Sequence, residues 1–280
     1  MKRFLFLLCF LFAAPIFAQS IFKSSFMPEN DLDKQDGLYD NGMTEDQFNA
    51  IIDSVTKYYE PIVQNLGGTL VVERNWDDST VNAYAERNDG NWNVHMFGGL
   101  ARRPEITPDG FAMVLSHEIG HHLSGFPFVS DWAANEGQAD TFATHVAANI
   151  IWTNNYSTIT NVNSDGKNLC DKYLPANKDK NLCYREMNAN YSLASLLAAL
   201  GRTKVNFTTP DKTIVKKTNN EHPNAQCRLD TYVAGTLCGV LWDNSVIPKT
   251  ETESAKYSCM GSKNGPYPIQ ARPLCWFHPS

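Results

Sequence analysis

Residues 116–122 read Ser-His-Glu-Ile-Gly-His-His, and these side chains at this spacing suit metal chemistry. His117 and His121 stand four apart. On a helix they share one face, and both imidazoles reach a single zinc ion. Glu118 falls beside the metal rather than on it, where a carboxylate takes a proton from metal-bound water. His122 is rotated by about 100° from His121 and is read as a surface residue or a support for the ligands. Glycine inside a helix costs about 1 kcal/mol relative to alanine. Gly120 therefore points to another segment that approaches the helix closely. The plainer reading of the motif is two partly buried histidines near a surface glutamate.

A catalytic zinc usually takes three protein ligands and keeps one position open. Residues 135–140 read Asn-Glu-Gly-Gln-Ala-Asp. Glu136 and Asp140 again share a helical face, and the interval from His121 allows one helix to end and a second to return antiparallel. Glu136 is expected as the third ligand, in the second turn of that returning helix. Asp140 is then placed to accept a hydrogen bond from the far nitrogen of one zinc-bound histidine, which fixes its tautomer. Direct ligation by Asp140, with Glu136 in support, is the alternative. His145 is a more distant one.

Elements that position these residues follow from caps and periodicity. Thr107 with Pro108 opens the helix that carries the histidines, with Phe111, Val114, Leu115 and Ile119 as its buried surface and an end near Ser124. The returning helix is expected from Asp131 or Trp132 to about Trp152. Thr44, with Gln47 in the capping-box position, opens an earlier helix that ends near Gly67-Gly68. Strands are expected at 69–73, 81–86 and 92–97, the last two joined across Asn88-Asp89-Gly90. Residues 153–180 read as a polar surface excursion. Helices follow at 184–200 and from Pro223 to Leu237. These elements predict an α+β fold, with a small mixed sheet packed on the histidine-bearing helix and a mainly helical C-terminal part.

Met1–Arg3 is a basic start, Phe4–Phe17 is almost wholly apolar, and Ala18 or Gln19 offers an exit: a signal peptide over 1–18, leaving 19–280 as one domain. Within it, 19–43 is an arm or pro-segment and 241–280 a disulfide-tethered tail. The chain carries 30 acidic against 24 basic side chains, a net charge of −6, which gives no reason to expect a nucleic-acid partner. No later segment is long and apolar enough to span a membrane. Beyond Cys9, cysteines 170, 183, 227, 238, 259 and 275 read as disulfides in an exported chain. Neighbours such as Cys259 and Cys275 are favoured to pair. Asn155, Asn190 and Asn206 each start a glycosylation-acceptor triplet, which matters only in a eukaryotic secretory host.

The segment His117-Glu118-x-x-His121, with Glu136-x-x-Ala139-Asp140 downstream, resembles the gluzincin metallopeptidases. Asn82-Ala83-Tyr84-Ala85, Gly99-Leu100 and His222-Pro223 with Arg228 resemble segments of the branch that holds the CAAX prenyl proteases, the HtpX-type membrane proteases and their periplasmic relatives. The resemblance covers about residues 44–240. It departs in its short interval between the two metal-binding helices, its lack of spanning helices and its cysteines. It implies a zincin-like fold in which Asn82–Ala85 and Trp92–Gly98 are adjacent strands. Val94, His95, Met96 and Phe97 would offer a sheet edge to an extended substrate. It further implies that His222 and Arg228 approach the metal and that one of them steadies the oxyanion. Tyr84 and His95 are further donor candidates. The expectation is a secreted or periplasmic zinc endopeptidase acting on protein or peptide substrates, with Glu118 as general base. The alternatives are a zinc-bearing envelope binding or assembly factor, inactive or latent, and a cell-wall peptide hydrolase.

Overall fold

The computed structural model describes residues 22–35, 43–152, 161–261 and 267–280. The leader with Cys9, and the Asn155 triplet, lie outside the described residues. In chain order, strand β1 (Lys23–Ser25) and a single helical turn, α1 (Leu32–Gln35), precede helix α2 (Glu45–Asn65). Thr44 caps α2 by the reciprocal pattern its sequence predicts. Its hydroxyl accepts from the Gln47 N–H at 3.2 Å, and the Gln47 side chain accepts from the Thr44 N–H at 3.0 Å. Phe48, Ile52, Val55, Tyr59 and Val63 form its buried stripe. At the other end, the Gly67 and Gly68 N–H groups return to Gln64 and Val63 carbonyls, each at 3.0 Å, which closes the helix.

Strands β2 (Thr69–Asn75), β3 (Ala83–Asn88) and β4 (Asn91–Phe97) follow. Asp89 and Gly90, at φ of 50° and 84°, make the tight turn from β3 to β4, as the turn signal predicts. The sheet runs β1-β3-β4-β2, antiparallel except for the parallel β2–β4 pair. This order corrects one expectation. β4 is paired on both sides, so Val94, His95, Met96 and Phe97 have no free edge to offer a substrate. The edges belong to β1 and β2 instead.

After a short turn, α3 (Gly98–Ala101), helix α4 (Pro108–Leu123) crosses the middle of the molecule. Thr107 caps it, accepting from the Gly110 N–H at 3.0 Å, and Pro108 fills its first turn. It is buried on every side from Gly110 to Leu123, against the sheet, α2 and later helices. A helix in that position must satisfy each polar group internally.

The returning helix starts later than predicted. Residues 124–135 form a loop tied to α4 by the Ala134 N–H, which donates to the His121 carbonyl at 2.9 Å. Asn135 then caps α5 (Glu136–Phe142), so Glu136 opens the first turn rather than sitting in the second. A π-helical turn (Ala143–Ala147) leads into α6 (Ala148–Ile151). Within the expected polar excursion lies a helix, α7 (Ser164–Tyr173), capped by Asn163. Helices α8 (Lys180–Leu200) and α9 (Ala225–Leu237) complete the helical part, and the tail carries only the short α10 (Glu251–Ser254). The result is a small mixed sheet against helices with a mainly helical C-terminal region. No helix among the described residues is long and apolar enough to cross a membrane.

The disulfides are Cys170–Cys183, Cys227–Cys275 and Cys238–Cys259. Proximity misled on Cys259 and Cys275, because the tail turns back so that each meets a cysteine at one end of α9. Cys170–Cys183 joins α7 to α8 across a separation of 13 residues. Loop-closure entropy at that length is worth about 3 kcal/mol. The double variant Cys170→Ser/Cys183→Ser is expected to melt roughly 6–12 °C lower. A melting point by circular dichroism within a degree of wild type would contradict this.

Candidate metal centre

His117 and His121 are one turn apart on α4, and their Nε2 atoms approach to 3.1 Å. Glu136, at the start of α5, brings Oε2 to 3.3 Å from His117 Nε2 and Oε1 to 3.4 Å from His121 Nε2. Ligand atoms of the three residues lie within 4.8 Å of one another. α5 can come this near because Gly120 has no side chain. A Cβ there would meet the Ala139 carbonyl oxygen at 3.1 Å and the Phe142 ring at 3.2 Å. This is the close approach that the glycine signals in sequence.

The tautomers follow from the outer nitrogens. His121 Nδ1 stands 2.8 Å from the Ala134 carbonyl oxygen, an obligate acceptor, so Nδ1 carries the proton. His117 Nδ1 stands 2.8 Å from Asp140 Oδ1, which favours a proton there too. In their neutral forms both imidazoles then aim an Nε2 lone pair at the same point, and a carboxylate faces them. Three acceptors converging in a buried space repel one another unless a cation lies between them. Two imidazole nitrogens and a carboxylate are a donor set that zinc takes.

The electrostatics agree. Burial raises the cost of ionising Glu136, but the His121 and His117 imidazoles outweigh it and hold the carboxyl well below its usual range. Burial pulls His121 down to about 4, so it is neutral at physiological pH. Burial also lowers His117, yet Asp140 and Glu136 prevail and push it up to about 9. The cluster thus draws positive charge to His117 Nε2, whether a proton or a metal, and acid competes with the metal.

Glu118 is fully buried, and neither carboxylate oxygen has a hydrogen-bond donor. Burial pushes its pKa up to about 8, opposed by the neighbouring His117 and reinforced by Glu136. An acceptor left unpartnered beside a cation site is placed to receive a proton from a water there.

Behind the ligands, Asp140 is gripped by Arg228 through two bonds, Nε to Oδ2 and Nη2 to Oδ1, each 2.7 Å. Arg228 Nη1 also donates to the Phe26 carbonyl. Its guanidinium is committed to these partners and is not free to serve an oxyanion. His222 does lie at the site, with Nε2 3.7 Å from Glu136 Oε1 and 2.8 Å from the Ser25 carbonyl oxygen. Tyr84 donates to Glu29 at 3.2 Å. His95 sits between carboxylates on the sheet, 2.9 Å from Glu73 Oε2 and 3.3 Å from Glu86 Oε1. His145 is turned to the Val240 carbonyl at 2.7 Å. His122 is buried, not at the surface. It is stacked between Trp92 and Trp132, with Nε2 3.1 Å from the Asn93 carbonyl oxygen.

Comparison with protein-family models, curated proteins and solved structures gave no match.

Two residues at the site carried no signal in sequence. Ser24 Oγ donates to Glu136 Oε1 at 3.2 Å and lies 3.3 Å from His121 Nδ1. Phe26 packs edge-on against the His117 ring, with centroids 5.2 Å apart. Both belong to an arm whose composition is polar and unpatterned. The pairing of β1 with β3 brings them in.

Proposed function

We propose that this chain is an exported zinc-dependent endopeptidase, with His117, His121 and Glu136 as metal ligands and Glu118 as general base. The observation that carries the reading is the convergence of the His117 and His121 Nε2 atoms on the Glu136 carboxylate, beside the unpartnered Glu118 carboxylate. A zinc ion held there would supply a Lewis acid that acidifies bound water and polarises a scissile carbonyl. Glu118 takes the proton of the attacking water and returns it to the leaving amine. Asp140 holds the His117 ring in its working tautomer, and Arg228 holds Asp140. His222, once its Nε2 is released from the Ser25 carbonyl, would donate to the carbonyl oxygen as it gains charge. The apolar leader supports export, and the cysteines paired as disulfides suit an oxidising compartment.

A second reading is a zinc-bearing binding or assembly factor. It draws weight from the closure of the site, since His117, His121 and Glu118 are each 0% exposed.

Zinc content and hydrolysis of a quenched, unfolded protein test the proposal together. Expected are about one zinc per chain and hydrolysis that stops after prolonged chelation and returns with added zinc. Folded protein that takes up no stoichiometric zinc would overturn the metal site. One zinc with no hydrolysis, even in Ser24→Pro, would favour the binding factor.

A further inference from the structure

A segment of this chain, residues 22–26, lies against the candidate metal centre. Residues 23–25 lie antiparallel along the outer edge of β3, with Lys23 opposite Glu86, Ser24 opposite Ala85 and Ser25 opposite Tyr84. The ladder continues one step, as the Phe26 N–H donates to the Ala83 carbonyl at 3.1 Å. Side chains alternate along such a strand. Ser24 points at the ligands and touches Glu136 and His121. Phe26, on the same face, packs on His117 and under the Arg228 guanidinium, 4.6 Å from its ring centroid. His222 holds the backbone of the segment at Ser25, and Phe22 rests edge-on against Trp132 at 6.0 Å.

This is the pose of an extended peptide added to a sheet edge beside a hydrolytic centre. Main-chain bonds supply its affinity, and the side chains facing the site set its specificity. The fixings are graded along the segment. Phe26 and Met27 are 0% exposed and anchor it in the core, whereas Phe22 is 40% exposed. A strand of three residues is short, and its part over the metal can peel from Phe22 while Phe26 stays seated.

Resting on the peptidase reading, we infer that the outer edge of β3 is the polypeptide-binding edge of this site. Residues 22–25 fill it in cis as a substrate-like strap, so the chain is latent until they are withdrawn. The strap also names the substrate class: an extended, unfolded segment with a small side chain where Ser24 sits. Anything much larger would collide with His121 and Glu136.

The test uses the full chain with two substitutions that eject the strap by different means. Ser24→Trp is too large for the space over the ligands. Ser24→Pro removes the N–H at a position where strand alternation places a ladder bond to Ala85. Each variant is assayed for hydrolysis of the quenched unfolded protein and for the rate of zinc transfer to a coloured chelator. A synthetic peptide of sequence Phe-Lys-Ser-Ser, that of residues 22–25, is then added in trans.

A site open only a few per cent of the time should gain at least roughly tenfold in both rates when held open. The added peptide should reverse most of that gain, an effect that a folding defect would not show. Folded variants with wild-type zinc transfer and wild-type hydrolysis overturn the strap. Hydrolysis that is equally fast in wild type, and lost in Glu118→Gln, overturns the strap but leaves the peptidase reading standing. Accelerated, peptide-reversible zinc transfer with no hydrolysis in any variant upholds the strap and removes the peptidase reading.

Discussion

Replacing Glu118 by Gln is expected to lower hydrolysis by about 10²–10⁴-fold, the usual worth of a positioned general base. Zinc content should stay at the wild-type level. The two effects separate because Glu118 is not one of the three converging ligands. Its carboxylate is buried beside them, with both oxygens lacking a donor and a pKa pushed up to about 8, chiefly by burial. Glutamine keeps the shape and loses the basic oxygen. It also removes a carboxyl that burial makes costly to ionise, so the metal-free variant should melt no lower than wild type. The Ser24→Pro background, with the cleft opened, gives the larger signal. Metal analysis, melting and single-turnover hydrolysis on the same preparation check all three parts. A variant that keeps its zinc and its rate would remove Glu118 from the chemistry. One that loses both would make it a structural support of the site.

Arg228→Met should be the most destabilising single substitution at the site, at roughly 3–5 kcal/mol. Arg228 is fully buried and offers two 2.7 Å bonds to Asp140, itself fully buried. Burial works against both charges. The Arg228 guanidinium, aided by His117, nevertheless holds the Asp140 carboxyl below its ordinary range. Asp140 in turn keeps Arg228 charged. Methionine fills similar space and strands the carboxylate with His117 as its only cationic neighbour among these residues. For a chain of this size the loss corresponds to a fall in melting temperature of roughly 6–20 °C. Zinc affinity should fall by roughly 10–100-fold, because Asp140 no longer orients His117 firmly. Removing both charges, as Arg228→Met/Asp140→Leu, should recover part of the stability but none of the zinc affinity. Calorimetry and competition with a zinc dye measure the two effects. A single variant melting within about 2 °C of wild type, a loss of no more than about 1 kcal/mol, would contradict this account.

The parts of the fold legible in sequence are those with local causes. Thr44 and Gln47 cap α2 because their side chains reach backbone within one turn. Thr107 and Pro108 start α4 for the same kind of reason, and Asp89-Gly90 makes the hairpin because its backbone conformation suits those residues. The four-residue spacings in α4 and α5 bring His117 and His121 together, and set Asp140 one turn beyond Glu136. Gly120 announced a close neighbouring segment without saying whether it was a strand or a helix.

Long-range contacts decided the rest. Ser24 and Phe26 reach the ligands only through pairing with a strand some sixty residues away in sequence. His122 looks like a surface residue until Trp92 and Trp132 close over it. The tail cysteines pair according to the path of the chain around α9, not by proximity. Arg228 is spoken for by Asp140 and Phe26, contacts that no local spacing encodes.

By itself, then, the sequence determined which donor atoms this protein presents and on which helical faces, because helix period and capping act within a few residues. The tertiary structure alone decided that β4 is interior, that β1 takes the outer edge of β3, and that this edge runs beside the His117, His121 and Glu136 cluster. Strand order is set by which surfaces exclude water together across distant segments, and alternation along a single strand carries no record of its neighbours.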